Sequence, residues 1–423
     1  MVKKSTFKNG LTLVTKNLPG LKSLTAIILV GAGSRYETKN SNGISHFLEH
    51  MFFKGAKKYK NAKEVATAID CVGGEFNAFT GKEYAGYFVK IGSENLETAL
   101  DVLSDMLTAS NFNQSDIDRE RQVIEEEYKM YQDTPSYQVG WDFERLIYGD
   151  QAMGYDQLGT PEFLGKVSQD DLIAYRQKLY TPDNTVIAIA GNVDHEKAAN
   201  LCEKLFKFRN LKKAFKAADL KENLNKTKVI LRKKYTKQGQ IVIGFPAYSE
   251  SDNRTWALKV LSIILGGNMS SRMFLSVREQ KGLAYSITTN TDDYTDSGII
   301  STRAGVDIDR IEDAIRAMIE EYKKLKNDKL SQTELNKAKA CLKGKILLKL
   351  EDTEEFAHLL SKFELLYKNY KTPEEILKLI DQVDLKTMNA IIDELFIEEK
   401  MKMAIIGPFE EKEKEGFEKL LKF

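Results

Sequence analysis

The hydrophobic pattern switches between strand-like and helix-like segments along the chain. Residues 24–30 are mostly apolar and strand-like, and a glycine-rich turn and a polar loop follow them. Helical periodicity begins near Gly43. The 3.6-residue period returns at 62–72, 93–107 and 114–130, whereas 75–91 mixes aromatic and β-branched residues as strands do. The chain is therefore predicted to contain both helices and strands.

A similar order of elements recurs in the second half. A strand is predicted at 240–245, a helix at 253–265 and a further strand region at 282–289. Between the halves, residues 207–228 form a lysine-rich, weakly periodic run that is typical of an exposed linker. A chain of 423 residues is also long for a single core. We therefore predict two similar domains, 1–215 and 216–423.

Composition narrows the class of protein. The 63 Lys and Arg residues almost balance the 62 Asp and Glu residues, so net charge provides no general attraction to nucleic acid or to an anionic membrane. The chain shows no membrane-length apolar run and no secretory signal pattern. We expect a soluble cytoplasmic protein. Cys71, Cys202 and Cys341 lie far apart, are expected in the core, and leave nitrogen and oxygen as the ligands for any metal.

Two of the four histidines fall within five residues, at His46 and His50. On a helix these positions lie one turn apart on the same face, so both imidazoles can share one metal ion. Glu49 flanks that face and can take a proton from the attacking water and return it to a leaving amine. A helix whose histidines make ordinary hydrogen bonds is the alternative. The other two histidines, His195 and His358, are expected to be structural.

A catalytic zinc site usually has three protein ligands, so a third is needed. In the helix predicted at 114–130, Glu120 and Glu127 lie within about 20° of each other. Ile117, Val123 and Ile124 are predicted to mark the inward face of this helix. Carboxylates that face a core are costly unless they are paired or bound to metal. Glu127 as ligand and Glu120 as its supporting partner would remove that cost, although a solvated acidic helix remains the alternative.

The motif His46-x-x-Glu49-His50 is the inverted zinc signature of the inverzincins. Together with the surrounding GISHFLEHMFFKG and the later ERxVIxxE at 120–127, it makes the chain resemble the pitrilysin and insulinase family, which includes mitochondrial processing peptidase. The resemblance covers nearly the whole chain. It implies an α+β fold of two similar domains, each a mostly antiparallel sheet packed with helices. It also implies one Zn²⁺ per chain, held by His46, His50 and Glu127 rather than by Glu125 or Glu126.

Two other segments share this resemblance. Residues 74–80 are similar to the family's active-site edge strand, whose backbone pairs with an extended substrate. The implied substrate-binding residues are Gly74, Phe76, Asn77, Ala78 and Phe79. Arg278 and Tyr285, seven residues apart, resemble the pair that holds substrate and stabilises the oxyanion in family members. Without the resemblance, residues 74–80 would be interpreted as an ordinary sheet strand, Arg278 as a surface charge and Tyr285 as a strand residue.

The resemblance implies a zinc-dependent endopeptidase that cleaves unstructured peptides or presequence-like extensions with a metal-activated water. Chains of this length in the family pair into a clam-shaped dimer, so a partner that is identical or related is expected. Each catalytic site would then combine the zinc residues of one chain with Arg278 and Tyr285 of the other. The alternatives are a catalytically silent structural or assembly subunit and a maturation protease dedicated to one peptide precursor.

Overall fold

A computed structural model describes residues 2–208, 212–213, 215–221, 223 and 226–423, so part of the predicted linker lies outside the described residues. The chain forms two compact units. The first unit comprises 1–129, 155–219 and 348–371, and the second unit comprises 130–154, 220–347 and 372–423. Each unit therefore includes a segment from the other side of residue 215.

The chain forms eleven strands within the described residues. They are β1 Val2–Thr6, β2 Thr12–Asn17, β3 Ser23–Val30, β4 Glu75–Thr80, β5 Ala85–Gly92, β6 Thr185–Gly191, β7 Val229–Lys233, β8 Gln238–Ala247, β9 Ala284–Asp293, β10 Gly298–Asp307 and β11 Lys402–Gly407. The α-helices of the described residues are α1 Ile44–Phe52, α2 Ala62–Asp70, α3 Leu96–Ala109, α4 Gln114–Gln132, α5 Pro135–Tyr148, α6 Pro161–Leu164, α7 Gln169–Leu179, α8 His195–Leu205, α9 Thr255–Leu265, α10 Ile311–Asn327, α11 Gln332–Lys349, α12 Thr353–Tyr367, α13 Pro373–Asp381, α14 Leu385–Leu395 and α15 Lys414–Leu420. A π-helix spans Phe274–Gln280.

The sheet of the first unit has the strand order β1-β2-β6-β3-β5-β4. All neighbouring pairs are antiparallel except β2 with β6. Alternate residues of β3 pack into two different apolar clusters, Ile28 into the one that contains α1 and α3, and Ile27 and Leu29 into the one that contains α12. Because β3 is covered on both faces, its residues 26–30 are all apolar and do not alternate with polar ones.

The sheet of the second unit has the strand order β7-β11-β8-β10-β9, in which only β7 and β11 are parallel. Phe143 of α5 packs against Val242 and Ala404 of the sheet. Phe245 contacts the rings of Tyr322 from α10 and Phe396, which directly follows α14. Each unit is therefore a mostly antiparallel sheet with helices against it, and the predicted α+β fold of two similar parts is confirmed.

Two local expectations differ from the structure. The helix predicted at 62–72 ends at Asp70, and Cys71 lies in the turn that follows it. The thiol of Cys71 is exposed, so its expected place in the core is wrong, whereas Cys202 is buried.

His195 lies between the hydroxyls of Ser5 and Thr15, each 2.8 Å from a ring nitrogen. None of the helices in the described part of the chain combines the length with the apolar composition of a membrane span.

The N-terminus of α1 is fixed by a buried carboxylate and a close backbone approach. Glu37 accepts hydrogen bonds from the backbone N–H groups of Gly43 (2.8 Å) and Ser45 (2.9 Å) and from the Asn42 side chain (2.9 Å). Gly43 has φ of 103°, and a Cβ there would lie 2.7 Å from the Cα of Gly159. Glycine is therefore required at this turn, and Glu37 satisfies donors that the first turn of a helix leaves unpaired.

We predict that Glu37→Gln lowers the free energy of unfolding by about 2 kcal/mol, because the amide nitrogen replaces an acceptor in front of backbone donors. Urea denaturation followed by circular dichroism measures the change. Glu97→Gln is the matched control, since the Glu97 side chain is 60% exposed, and it should change stability by less than about 0.5 kcal/mol. Equal stability of the two variants would contradict this role of Glu37.

Candidate metal centre

Helix α1 presents His46, Glu49 and His50 towards α4. His46 is buried and His50 is partly buried, and their ring centroids are 4.7 Å apart. The Nε2 atoms of the two rings face each other at 3.3 Å. The sequence spacing therefore brings both nitrogens to one point, as predicted from one helical turn.

Helix α4 contributes the third group. Glu127 Oε2 lies 3.3 Å from His50 Nε2 and 3.6 Å from His46 Nε2. Glu120, one heptad earlier, is buried on the same face as Ile117 and Ile124. Val123 was expected on this face but is 48% exposed, because at about 100° per residue it points roughly 100° away from Ile124.

The neighbouring glutamates of α4 point elsewhere. The Glu126 side chain is 73% exposed and pairs with Lys129 at 2.6 Å. Glu125 is intermediate in exposure and is absent from the group of potential ligand atoms, which contains His46, His50 and Glu127 within the described residues. The run of three glutamates therefore places one carboxylate, that of Glu127, beside the two histidines.

The spacing of these three donors fits a tetrahedral zinc ion. Two ligand atoms at about 2.0–2.1 Å from a tetrahedral metal are separated by about 3.3–3.4 Å. The observed separations among His46 Nε2, His50 Nε2 and Glu127 Oε2 are 3.3, 3.3 and 3.6 Å. Two imidazoles and one carboxylate are also a donor set that catalytic zinc sites use, with the fourth position open. The residues present therefore fit the metal.

Glu120 orients His50. Its Oε1 accepts a hydrogen bond from His50 Nδ1 at 2.8 Å, and its Oε2 pairs with Lys54 at 2.5 Å. With the proton on Nδ1, the lone pair of the neutral ring is on Nε2, the atom that faces Glu127. Within the described residues, the buried Nδ1 of His46 has no hydrogen-bond partner, so the orientation of that ring depends on packing.

The side chains of the centre stabilise a positive charge in the space between them. Although burial opposes it, the hydrogen bonds to Glu120 and Glu127 and the nearby carboxylates raise the pKa of His50 to about 9. Burial, with a smaller effect of His50, lowers the pKa of His46 to about 4. One neutral imidazole therefore lies beside a point where three carboxylates stabilise a cation, which is also what a divalent metal ion requires.

Glu49 lies beside the donors and is held by the sheet. Its Oε2 accepts a hydrogen bond of 2.5 Å from the hydroxyl of Thr80, the last residue of β4. Burial raises the pKa of the Glu49 carboxyl, although the Thr80 hydrogen bond opposes this change. A carboxylate with a raised pKa is a stronger proton acceptor than an exposed one.

The predicted substrate residues lie on an edge strand. β4 is the last strand of its sheet and pairs with β5. Phe76 and Ala78 pack into the cluster that contains α1, whereas Phe79 packs into the cluster that contains α12. Asn77 is exposed, and Gly74 directly precedes the strand. One side of the β4 backbone is therefore available for pairing.

Arg278 and Tyr285 belong to the second unit, whereas the zinc candidates belong to the first. Arg278 is in the π-helix, with its guanidinium 4.7 Å from the Phe274 ring centroid and 6.0 Å from that of Tyr285. Tyr285 is 76% exposed at the start of β9. The structure brings these two side chains near each other.

Two residues of the centre were not predicted. Lys54 lies one turn beyond His50, and this i, i+4 spacing after the motif is a signal that could have suggested its contact with Glu120. Thr80 is the last residue of the segment 74–80 that resembles the edge strand, but the sequence indicates no role for it. Its contact with Glu49 depends on how β4 docks on α1, which no local spacing reveals.

Two family models and several known proteins match this chain. Residues 12–155 match the insulinase family, peptidase family M16, and residues 166–342 match the peptidase M16 inactive domain. An uncharacterized zinc protease of Bacillus subtilis is 38% identical over 408 residues, which cover 96% of this chain and 98% of that protein. One from Streptomyces coelicolor is 34% identical, covering 97% and 91%. The chain belongs to the insulinase family of peptidases.

Solved structures share the fold. A protease from Helicobacter pylori superposes with a TM-score of 0.90 at 22% identity, covering 96% of this chain and 99% of that one. A peptidase M16 inactive domain from Pseudomonas fluorescens gives 0.88 at 17% identity, covering 97% and 98%. Family membership and the names of the relatives support a zinc peptidase, and all of the zinc candidates lie within the insulinase match at 12–155.

We predict that Glu127→Gln lowers zinc affinity by at least about tenfold, because it replaces a charged ligand oxygen by a neutral amide. Glu126→Gln is the matched control, since it removes one charge from the next residue without changing the donor set. Zinc retained after dialysis against graded chelator concentrations, measured by mass spectrometry, compares the two. If Glu126→Gln lost the metal and Glu127→Gln kept it, the choice of ligand would be wrong.

Proposed function

We propose that this protein is a zinc-dependent endopeptidase that cleaves unstructured peptides or presequence-like extensions. One observation carries the proposal. His46 Nε2, His50 Nε2 and Glu127 Oε2 lie at the mutual distances of a tetrahedral zinc site, with the Glu49 carboxylate on the same helix. Relatives named zinc proteases that match 96% and 97% of the chain support the same chemistry.

Each residue of the centre has a defined task in hydrolysis. His46, His50 and Glu127 would hold the zinc ion, which when bound would supply a Lewis acid for the scissile carbonyl and for water. Glu49 accepts the proton of the attacking water and delivers it to the leaving amine. The Thr80 hydroxyl holds the Glu49 carboxylate, and Glu120 keeps the lone pair of His50 on Nε2.

The edge strand supplies a way to bind substrate. An extended peptide can add to the free side of β4 through main-chain hydrogen bonds, which accept many side chains. Thr80 connects this strand directly to Glu49, so a peptide paired with β4 passes close to the general base. A folded protein has few unpaired extended segments to offer, so unstructured peptides are the natural substrates.

A catalytically silent subunit is the competing function. The match of residues 166–342 to an inactive domain is relevant to it, but that range contains none of the zinc candidates. The complete ligand set with its general base favours the active enzyme. A maturation protease for one precursor would use the same centre, and cleavage of a mixed peptide library by purified, zinc-assayed protein separates narrow from broad specificity.

We predict that Glu49→Gln keeps zinc and loses cleavage by at least about a hundredfold in kcat, because the ligands remain while the proton acceptor is gone. Zinc content and hydrolysis of a quenched fluorescent peptide are measured on the same preparation. A kcat within about tenfold of the wild-type value would contradict the assignment of Glu49 as the general base. Wild-type protein that holds zinc and cleaves nothing in the peptide library would instead favour the silent subunit.

We further propose that two chains pair and that each catalytic site uses Arg278 and Tyr285 of the partner. The resemblance to the family motivates this arrangement, and the exposure of Tyr285 leaves its hydroxyl accessible within its own unit. A two-fold dimer of this kind contains two composite sites.

Mixing two defective variants tests the shared site. When Glu49→Gln and Tyr285→Phe subunits exchange at random, about half of the dimers are mixed, and each mixed dimer regains one intact site. We predict recovery to about a quarter of wild-type activity. Mass spectrometry of isotope-labelled subunits verifies the exchange. No recovery after verified exchange would refute the shared site and leave the zinc assignment intact.

A further inference from the structure

A second group of side chains lies on the other face of the first unit's sheet. β4 alternates, so that Thr80 reaches Glu49 whereas Phe79 faces α12. On the α12 side, a cavity of about 340 Å³ is lined by residues from β3, from β4 and the turn after it, and from the α11 end and α12. The lining residues that matter here are Phe79, Tyr84, Lys349, Glu354, Glu355 and His358. We call this cavity the α12 pocket.

Three aromatic rings form one wall of the α12 pocket. The centroid of the Phe79 ring lies 6.1 Å from that of Tyr84 and 5.5 Å from that of His358, and the Tyr84 and His358 centroids are 5.6 Å apart. The Phe79 plane is nearly perpendicular to the other two, at 85° and 80°. A cation in the corner between the nearly perpendicular rings of Phe79 and Tyr84 can lie within about 6 Å of both centroids, the range in which a ring face attracts it.

The charged residues of the pocket leave one carboxylate without a partner. Lys349 pairs with Glu355 at 2.8 Å, and Lys90 is bonded to Asp352 at 2.9 Å. Among the described residues, the carboxylate of Glu354 makes no hydrogen bond and no ion pair. Two carboxylates therefore face one ammonium group in the lining, and the balance is negative.

The electrostatics of the pocket agree with this picture. Burial, and then the negative charge of Asp352, raise the pKa of Glu354 although the charge of Lys90 opposes them, so the surroundings together disfavour its ionised form. Burial, and then the charge of Lys362, lower the pKa of His358 to about 4, so its ring is neutral at pH 7. A neutral ring does not repel a cation, and an unstabilised carboxylate attracts one.

We propose that the α12 pocket binds an arginine side chain of a peptide paired with β4, through the faces of Phe79 and Tyr84 and the carboxylate of Glu354. This inference rests on the proposed peptidase function. Side chains of an added strand alternate between the two faces of the sheet, so those on the α12 face lie beside Asn77 and Phe79. The pocket thus selects a residue on the face opposite to the zinc ligands.

Arginine fits the pocket better than lysine does. The planar guanidinium can stack on a ring while it donates two parallel hydrogen bonds to one carboxylate, whereas an ammonium is a compact point charge. A cavity of about 340 Å³ has room for a guanidinium and the last methylenes of its side chain. Glu354 supplies the carboxylate that such a fork requires.

Arginine and citrulline provide a matched test, because they have nearly the same shape and citrulline carries no charge. One arginine is moved stepwise through a neutral quenched fluorescent peptide, and each peptide is paired with its citrulline form. We predict that at one or more positions wild-type kcat/KM is about tenfold higher for arginine. Glu354→Gln should reduce this ratio to about one. Glu351→Gln removes a charge from an exposed residue that does not line the pocket, and it should keep the ratio.

A binding measurement separates this inference from the proposed function. Fluorescence anisotropy with the Glu49→Gln protein gives the affinity for each peptide pair without cleavage, and Glu49→Gln combined with Glu354→Gln should lose the preference for arginine. No position that favours arginine, or a preference that survives Glu354→Gln, overturns the α12 pocket as an arginine site while cleavage still supports the peptidase. If no peptide is cleaved, the peptidase proposal fails, and anisotropy alone decides on the pocket.

Discussion

The convergence of three carboxylates on two histidines is the constraint on which the first unit depends. Glu49, Glu120 and Glu127 lie at the contact of α1 with α4, where their mutual repulsion would be costly without a positive charge between them. The surroundings hold this arrangement in place. Glu37 fixes the start of α1, Lys54 pairs with Glu120, and β4 supplies a donor to Glu49. The geometry of the centre therefore depends on the relative positions of α1, α4 and β4.

Short-range spacing was sufficient to predict which side chains lie together in the candidate centre. A five-residue motif fixes two histidines and one glutamate on a helix, and a spacing of seven places Glu120 and Glu127 on one face of α4. Both relations depend only on helix geometry, which is nearly the same in every helix. The alternation of apolar residues likewise predicted the helices and strands that carry the site, with errors mainly at their ends.

Features that depend on tertiary packing were not accessible from the sequence. The apolar run at 26–30 indicates that β3 is buried on both faces, but not that α12, more than 300 residues later, covers one of them. The contact of Thr80 with Glu49 requires the docking of β4 on α1. Val123 and Cys71 looked apolar enough for the core, yet both are exposed, because neighbouring residues on the same helix or turn fill the buried positions.

The exchange of α5 and α12 between the two halves of the sequence affects how this chain can fold during synthesis. The first unit includes residues 348–371, so one apolar face of its sheet has no cover until most of the polypeptide has left the ribosome. Until α12 is synthesised, β3 and β6 expose Ile and Val side chains on this face. Partly folded chains that expose such surfaces aggregate. We therefore expect that truncation before α12 exposes this surface, and that nascent chains of this protein depend on chaperones until α12 has been synthesised.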